Sequence, residues 1–529
     1  MTTTLSERIA NLPPEKRAVI ERYLLDQQAA QPNDTAIPRR GADDPSPLSF
    51  AQERLWFLAQ LEPDSPAYNG NQVIHILGEL NVGALERSLD ALAARHDSLR
   101  VCFREVNGVV LQVTDPLPPS ELPLIDLTHL LAASRMPKAW ERITVFRNKI
   151  FDLTRPPLWR AMLIRLADNE HLFVRIDHHI ITDGWSNSIF WRELDHIYSG
   201  LVGDGRVVQL PPLSVSYKDF SAWQRDWLQG ERLARLVGYW RDRLADLQPL
   251  ELPSDRQRPI RLSHTGKAER FRLGLDLSER LTSLARASGS SLYILLLACF
   301  QVLLHRYSGQ ADIAVGSPIA NRNHSQTEGL YGFFVNTLVM RADCGGNISF
   351  RSLLAQVRQN ALEAYDRQDL PFEKLVEELH PPRELNRNPL FDVMFSLQNM
   401  PRSEVQLADL HCQRLSSSEV DSKFDLSLFM HESDNGLEGS LGYATQLFNA
   451  DTIQRMVGHF QTLLEGIVED PDCPIGQLPL LTSAERQQIL VEWNDSTTDY
   501  PQNLCIHHSS RSRSDERLMP LRSHSTKSS

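Results

Sequence analysis

The segment HLFVRIDHHIITDGWSNSIFWRELDHIYSG, residues 171–200, changes period in its middle, and this switch restricts the fold more than any other feature of the chain. Residues 171–180 alternate and are rich in branched side chains, the pattern of a strand. Residues 185–200 have helical spacing and end at a glycine. Successive strand side chains point to opposite faces, so His178 and His179 cannot both face one cavity. One packs and hydrogen-bonds inside the protein, and the other can face a ligand. The same divergence argues against a metal held by this pair, and two satisfied core histidines are the default for an arbitrary pair. Asp183 is placed either to cap the helix or to pair with a buried cation. Gly184 lets another backbone or a substrate come close.

Similar alternation runs through much of the chain. Residues 80–96 and 231–245 have helical periodicity, 250–259 are a proline-broken crossover, and 292–304 read as a buried helix. The expected class is α/β, in two lobes of about 200 residues each. The boundaries that follow are 1–46 for an N-terminal arm, 47–225 for the first lobe and 226–480 for the second. The arm holds an amphipathic helix at 14–28 and then a linker rich in Pro, Asp and Ala. Residues 481–507 read as a linker with a short helix, and 508–529 as a basic, Ser-rich, disordered tail.

Composition excludes several functions. The formal net charge of −12 over 529 residues argues against a nucleic-acid partner. No apolar run reaches the roughly 18 residues of a membrane span, and residues 1–5 do not open a secretory signal. The 6 cysteines are scattered without a CxxC pair, which fits a reduced cytoplasm with neither a disulfide framework nor a zinc cluster.

The stretch HHIITDG fits the pattern HHxxxDG, and further blocks surround it in order: SFAQERLWFL (49–58), RHDSLRVCF (95–103), YKDFSAW (217–223), GFFVNT (332–337), QDLPFE (368–373) and NRNPLF (386–391). Together they resemble the condensation domains of nonribosomal peptide synthetases. Asp97, Cys102 and Asn386 stand where Glu, Thr and Ser are usual. The resemblance implies two lobes similar to chloramphenicol acetyltransferase, set in a V-shaped pseudo-dimer, with the active site in a tunnel between them. It implies no bound cofactor and no metal. Donor and acceptor carrier proteins would present thioesters on phosphopantetheine arms, other synthetase modules would be partners, and the acceptor amine would attack the donor thioester.

By that resemblance His179 is the tunnel-facing imidazole, which orients the amine and accepts its proton, and the Gly184 amide partners developing negative charge. His178 is structural. Asp183 forms a buried pair with an arginine, for which Arg100 is the expected partner. Asn336 belongs to the element where one lobe reaches over the other. An α-amino group has a pKa near 8, so deprotonation costs only about 1–2 kcal/mol. General-base help is worth about 10²–10⁴-fold, against about 7–11 kcal/mol for holding two tethered reactants in line. Positioning therefore outweighs base catalysis.

The form HHIITDGWS, with NRNHSQTEGLYGFFVNTLVMR at 321–341, looks most like the class joining an L-configured donor to an L-configured acceptor. The DxxxxD of cyclisation domains, the EGHGRE-like stretch of epimerisation domains and the longer N-terminal histidine motif of epimerising-condensing domains are missing. Two other functions stay open: a catalytically idle module that only docks carriers or partner enzymes, and a free-standing acyltransferase using soluble thioesters. The segment 481–507 resembles the joint before an adenylation domain. Codons can be chosen for residues 516–527 whose neighbouring frame reads TPDAVAVAFDE, as the first strand of such a domain should, so a frameshift near His508 is expected.

Overall fold

A computed structural model describes residues 36–496, apart from 42–43, 45, 117–121, 262, 383, 385, 399–404 and 416–418. The expected helix at 14–28 and the tail with its alternative reading frame lie outside these residues. One unit of the chain runs to Leu478 and contains two large sheets.

The strand Glu170–His178 lies inside the first sheet, whose order is His411–Leu415, Asn69–Leu77, Glu170–His178, Trp159–Ala167 and Leu124–Asp126. Every residue from His171 to His178 is buried because helices cover both faces. Phe173 packs in a core with Leu85, Leu89, Phe190 and Leu194, from helices Val82–Arg95 and Gly184–Gly203. Leu172, Val174 and Ile176 pack with Ala139 and Ile143 of helix Ala132–Arg147. The observed class is α/β, and burial on both faces means that the polar members of the strand must find partners inside the protein. Arg175 is wholly buried, donates to Asp177 at 2.8 Å and lies 3.7 Å over the Phe190 ring.

Two local expectations change. The strand ends at His178, and residues His179–Ile181 form a single 3₁₀ turn. His179 leaves the sheet instead of projecting from its other face, because its N–H bonds the Tyr68 carbonyl at 2.8 Å and its carbonyl closes a turn on Thr182. The following helix runs past Gly200 to Gly203. Gly200 is a packing position: a Cβ there would come within 2.3 Å of Val208.

The second sheet has the order Asn336–Asp343, Asp312–Ile319, Val393–Gln398, Leu426–Ser433, Gly436–Ala444, Thr265–Leu273 and Glu419–Asp421. Helix Leu292–Ser308 packs against helices Leu275–Ala287, Phe350–Tyr365 and Ala450–Glu469. It is buried without a break from Ile294 to Leu304, as its apolar run implies, and it stops at Gly309 in the left-handed region, φ 71°. Among the described residues no single helix is long and apolar enough to cross a membrane.

The second half of the chain also completes the first lobe. Strand His411–Leu415 is an edge of the first sheet, antiparallel to Asn69–Leu77. Tyr331 sits in the first lobe's core, and Phe334 packs between Tyr217 and Phe220. After Leu478, a short helix Ser483–Gln487 starts at a Thr482–Glu485 capping box and continues into a π turn, Gln488–Glu492.

Candidate functional site

Two histidines next to each other in sequence meet different surroundings. His178 ends the strand, its Nδ1 accepts from the Ile180 N–H at 3.2 Å, and Phe151 lies edge-on at 6.2 Å. Burial, together with the charges of His179 and Lys423, pushes its pKa down to about 3. It is a neutral, packed histidine. His179 is only partly buried and stands edge-on to Phe333, ring centres 5.1 Å apart. Its Nδ1 is buried and meets no hydrogen-bond partner among the described residues. Burial, then the Lys423 cation, lower its pKa to about 4, while Asp183 acts in the opposite direction. At neutral pH its imidazole is therefore uncharged and able to accept a hydrogen bond.

Asp183 both caps and pairs. Its Oδ1 accepts from the Ser186 N–H at 2.7 Å, which caps helix Gly184–Gly203. Its Oδ2 accepts from the Phe334 N–H at 2.9 Å. The cation is Arg322, not Arg100: Arg322 Nη2 lies 3.3 Å and 3.5 Å from the two carboxylate oxygens. Arg322 also donates to the carbonyls of Thr327 and Leu330 and to Ser186 Oγ, and it lies 4.0 Å over Phe334. Arg100 instead folds back on its own turn, 2.6 Å from Asp97 and 2.9 Å from the Ala93 carbonyl. Arg100 follows the 3₁₀ turn Asp97–Leu99 and satisfies its guanidinium locally, at a partly exposed site. Gly184 is the first helical residue, where an N–H has no intrahelical acceptor. It is exposed, and a Cβ on it would meet nothing within 4 Å.

The other blocks brace this turn. Ser49 and Gln52 form a capping box, and Gln52 also donates to the Ile180 carbonyl at 3.3 Å. Arg95 and His96 both bond Glu193 on the helix after the motif, at 3.1 Å and 2.7 Å. The Tyr217 hydroxyl bonds the Phe333 carbonyl at 2.5 Å, and Gly332 packs so close that a Cβ would come 2.0 Å from that ring. Asn336 spends its hydrogen bonds on the second half of the chain. Its side chain bonds the carbonyls of Gln368 and Leu370 and the N–H groups of Phe372 and Thr337, at 2.8–2.9 Å. It thereby holds helix Phe372–Leu379, whose Glu373 pairs with Arg54 across the lobes at 3.2 Å.

Three residues at the centre have no site role that the sequence assigns them. Arg322 lies in the polar run NRNHSQTEG, where its charge has no visible partner in sequence. Tyr68, whose carbonyl holds His179, sits in an ordinary turn. Lys423 reaches from the second half of the chain to 4.2 Å above the Tyr68 ring. Among the described residues no group of three His, Cys, Asp or Glu could hold a metal ion.

Comparison with known proteins gives a single family. Residues 43–490 match the family described as "Condensation domain". One component of the linear gramicidin synthase of Brevibacillus parabrevis is 46% identical over 86% of the chain, a match that spans 9% of that much longer protein. The crystal structure of the X-domain from teicoplanin biosynthesis covers 84% of the chain and 100% of its own at 28% identity, with a TM-score of 0.77. The first condensation domain of the calcium-dependent antibiotic synthetase, solved with a substrate analogue, covers 83% of the chain and 100% of its own at 22% identity and a TM-score of 0.69, which speaks for the two-lobed fold alone. The match over residues 43–490, and the identity with a synthase across most of the chain, establish that the protein belongs to the condensation-domain family.

Proposed function

We propose that the chain forms a peptide bond in nonribosomal peptide synthesis. It would work in the cytoplasm beside other synthetase modules, with the acceptor amine attacking the donor thioester while both are tethered to carrier proteins. The observation that carries this reading is the contrast at the turn: His179 offers a neutral imidazole at a partly open site, beside a helix N-terminus whose first residue leaves its Cβ position empty. An imidazole held near pKa 4 is a weak base but a good hydrogen-bond acceptor. It suits orienting an amine that is already partly neutral, in line with positioning as the larger effect. As nitrogen attacks, the carbonyl oxygen gains negative charge, and the Gly184 N–H at the helix start can donate to it. Collapse of the adduct breaks the carbon–sulfur bond. The proton leaves the nitrogen through His179, and the thiol returns to the donor arm.

The finer assignment is an L-configured donor joined to an L-configured acceptor. An upstream carrier bearing an acyl thioester, mixed with a downstream carrier bearing an aminoacyl thioester, tests the proposal. Mass spectrometry of the acceptor carrier should find the amide, formed faster from the L donor than from its D epimer. Binding of both carriers without amide formation, over a panel of loaded residues, would replace the reading with a docking module.

A further inference from the structure

Residues 331–334 belong to neither helix nor sheet, and a buried stretch of that kind must find partners for its backbone elsewhere. It finds them in side chains from four separate places. The Ser98 hydroxyl donates to the Tyr331 carbonyl at 2.7 Å. The Ser186 hydroxyl donates to the Gly332 carbonyl at 2.7 Å and receives the Gly332 N–H at 3.0 Å. The Tyr217 hydroxyl donates to the Phe333 carbonyl at 2.5 Å. The Phe334 N–H donates to Asp183 Oδ2 at 2.9 Å, and the Phe334 carbonyl receives the Asn321 amide at 3.1 Å. Tyr331 and Phe334 are both buried, each 2% exposed. Phe333 between them is only partly buried, and its ring meets His179 at 5.1 Å between centres and 67° between planes. Four consecutive residues are thus clamped, and the side chain they carry to the histidine is a single aromatic ring.

We propose that Phe333 is a positioning residue of the condensation reaction: an aromatic ring, fixed through its backbone to Asp183, Ser186 and Tyr217, that holds the His179 imidazole in the orientation in which it meets the acceptor amine. The inference rests on the reading of His179 given above. The torsion that turns a histidine ring has broad minima, so a working imidazole needs something to set its plane. A hydrogen bond on the second ring nitrogen commonly does so. His179 has none on Nδ1 among the described residues, and Phe333 is the one aromatic ring paired with it there. The separation and tilt of the two rings fall in the favoured range for an edge-to-face pair. The anchors of Phe333 also matter. Asp183 and Ser186 stand at the start of helix Gly184–Gly203, the helix that offers the Gly184 N–H. The imidazole and that N–H are therefore set by one rigid piece of structure, as holding two reacting groups in line requires.

Phe333→Leu fills the site with apolar atoms but removes the ring, and Phe333→Tyr retains the ring. Amide formation between loaded carriers would be timed for both, alone and in a His179→Ala background. Losing the ring contact should lower kcat by about tenfold and leave the KM for the acceptor carrier within about twofold, because Phe333 acts on the imidazole and not on docking. Phe333→Tyr should keep a rate near the wild type. In the His179→Ala background Phe333→Leu should change the residual rate by less than about twofold, since two residues acting as one unit are not additive. Phe333→Met, flexible enough to fill an irregular gap, gives the same test should Phe333→Leu not yield soluble protein. A folded Phe333→Leu or Phe333→Met protein with the wild-type kcat would overturn the inference. So would an equal loss with and without His179, which would make Phe333 a packing residue or a wall for substrate. Full activity of His179→Ala by itself would instead remove the reading on which the inference stands.

Discussion

The two ends of the HHxxxDG stretch are built on opposite principles. At Asp183 every feature closes: a carboxylate 1% exposed caps a helix, receives the Phe334 N–H and pairs with an arginine that itself bonds two carbonyls. At His179 things are left open: a ring nitrogen buried without a partner among the described residues, and a partly exposed ring. A closed network fixes where the turn and its helix sit, and an open one leaves groups free to meet a substrate. Under the proposed function, the difference separates structure from chemistry between His179 and Asp183.

The comparison is most easily broken at Asp183. Asp183→Ala leaves Arg322 buried and uncompensated, and should cost about 3–5 kcal/mol, read as a large fall in melting temperature or loss of soluble protein. Arg322→Ala should do the same, and the double variant should lose less than the sum because the two share one network. Independent, additive losses would show that the pair is not a unit.

Acid should act on the open end as well. His178 and His179 titrate near 3 and 4 in the folded protein, below the usual 6.5. The unfolded chain therefore binds more protons between these values, and their contribution to stability is lost progressively as pH falls below about 6.5. His179→Ala removes one of the two groups, so its melting temperature should depend less on pH between about 6.5 and 4. An unchanged slope would mean that His179 is not held neutral by the fold.

Asn336→Ala strands buried carbonyl and N–H groups around the Gln368–Phe372 segment, for a loss of about 1–3 kcal/mol, visible in chemical denaturation. Arg100→Ala should be the mildest change, under about 1 kcal/mol, since its ion pair is partly exposed. A loss there as large as for Arg322 would restore Arg100 as a structural partner of the site.

What could be read from the sequence follows the range of the interactions. The helix start at Asp183 and the capping box of Ser49 and Gln52 rest on partners three residues apart, and such patterns are visible in a string of letters. The α/β class and the buried helix Leu292–Ser308 were equally visible, because periodicity and apolar runs are local. The partner of Asp183 lies 139 residues away, and a nearer arginine, Arg100, drew the expectation although Asp97 holds it. Strand periodicity carried His179 one residue too far, since the bond to Tyr68 that ends the strand comes from a turn over 100 residues earlier. Lys423 was invisible for the same reason: nothing around SKFD tells that it will stand over Tyr68.

The most direct test measures both properties on one variant. His179→Ala should melt within a degree or two of the wild type at neutral pH, yet transfer between loaded carriers should fall by about 10²–10⁴-fold. Wild-type transfer by that well-folded protein, or a collapse in stability like that of Asp183→Ala, would contradict the division between the closed and the open end of the motif.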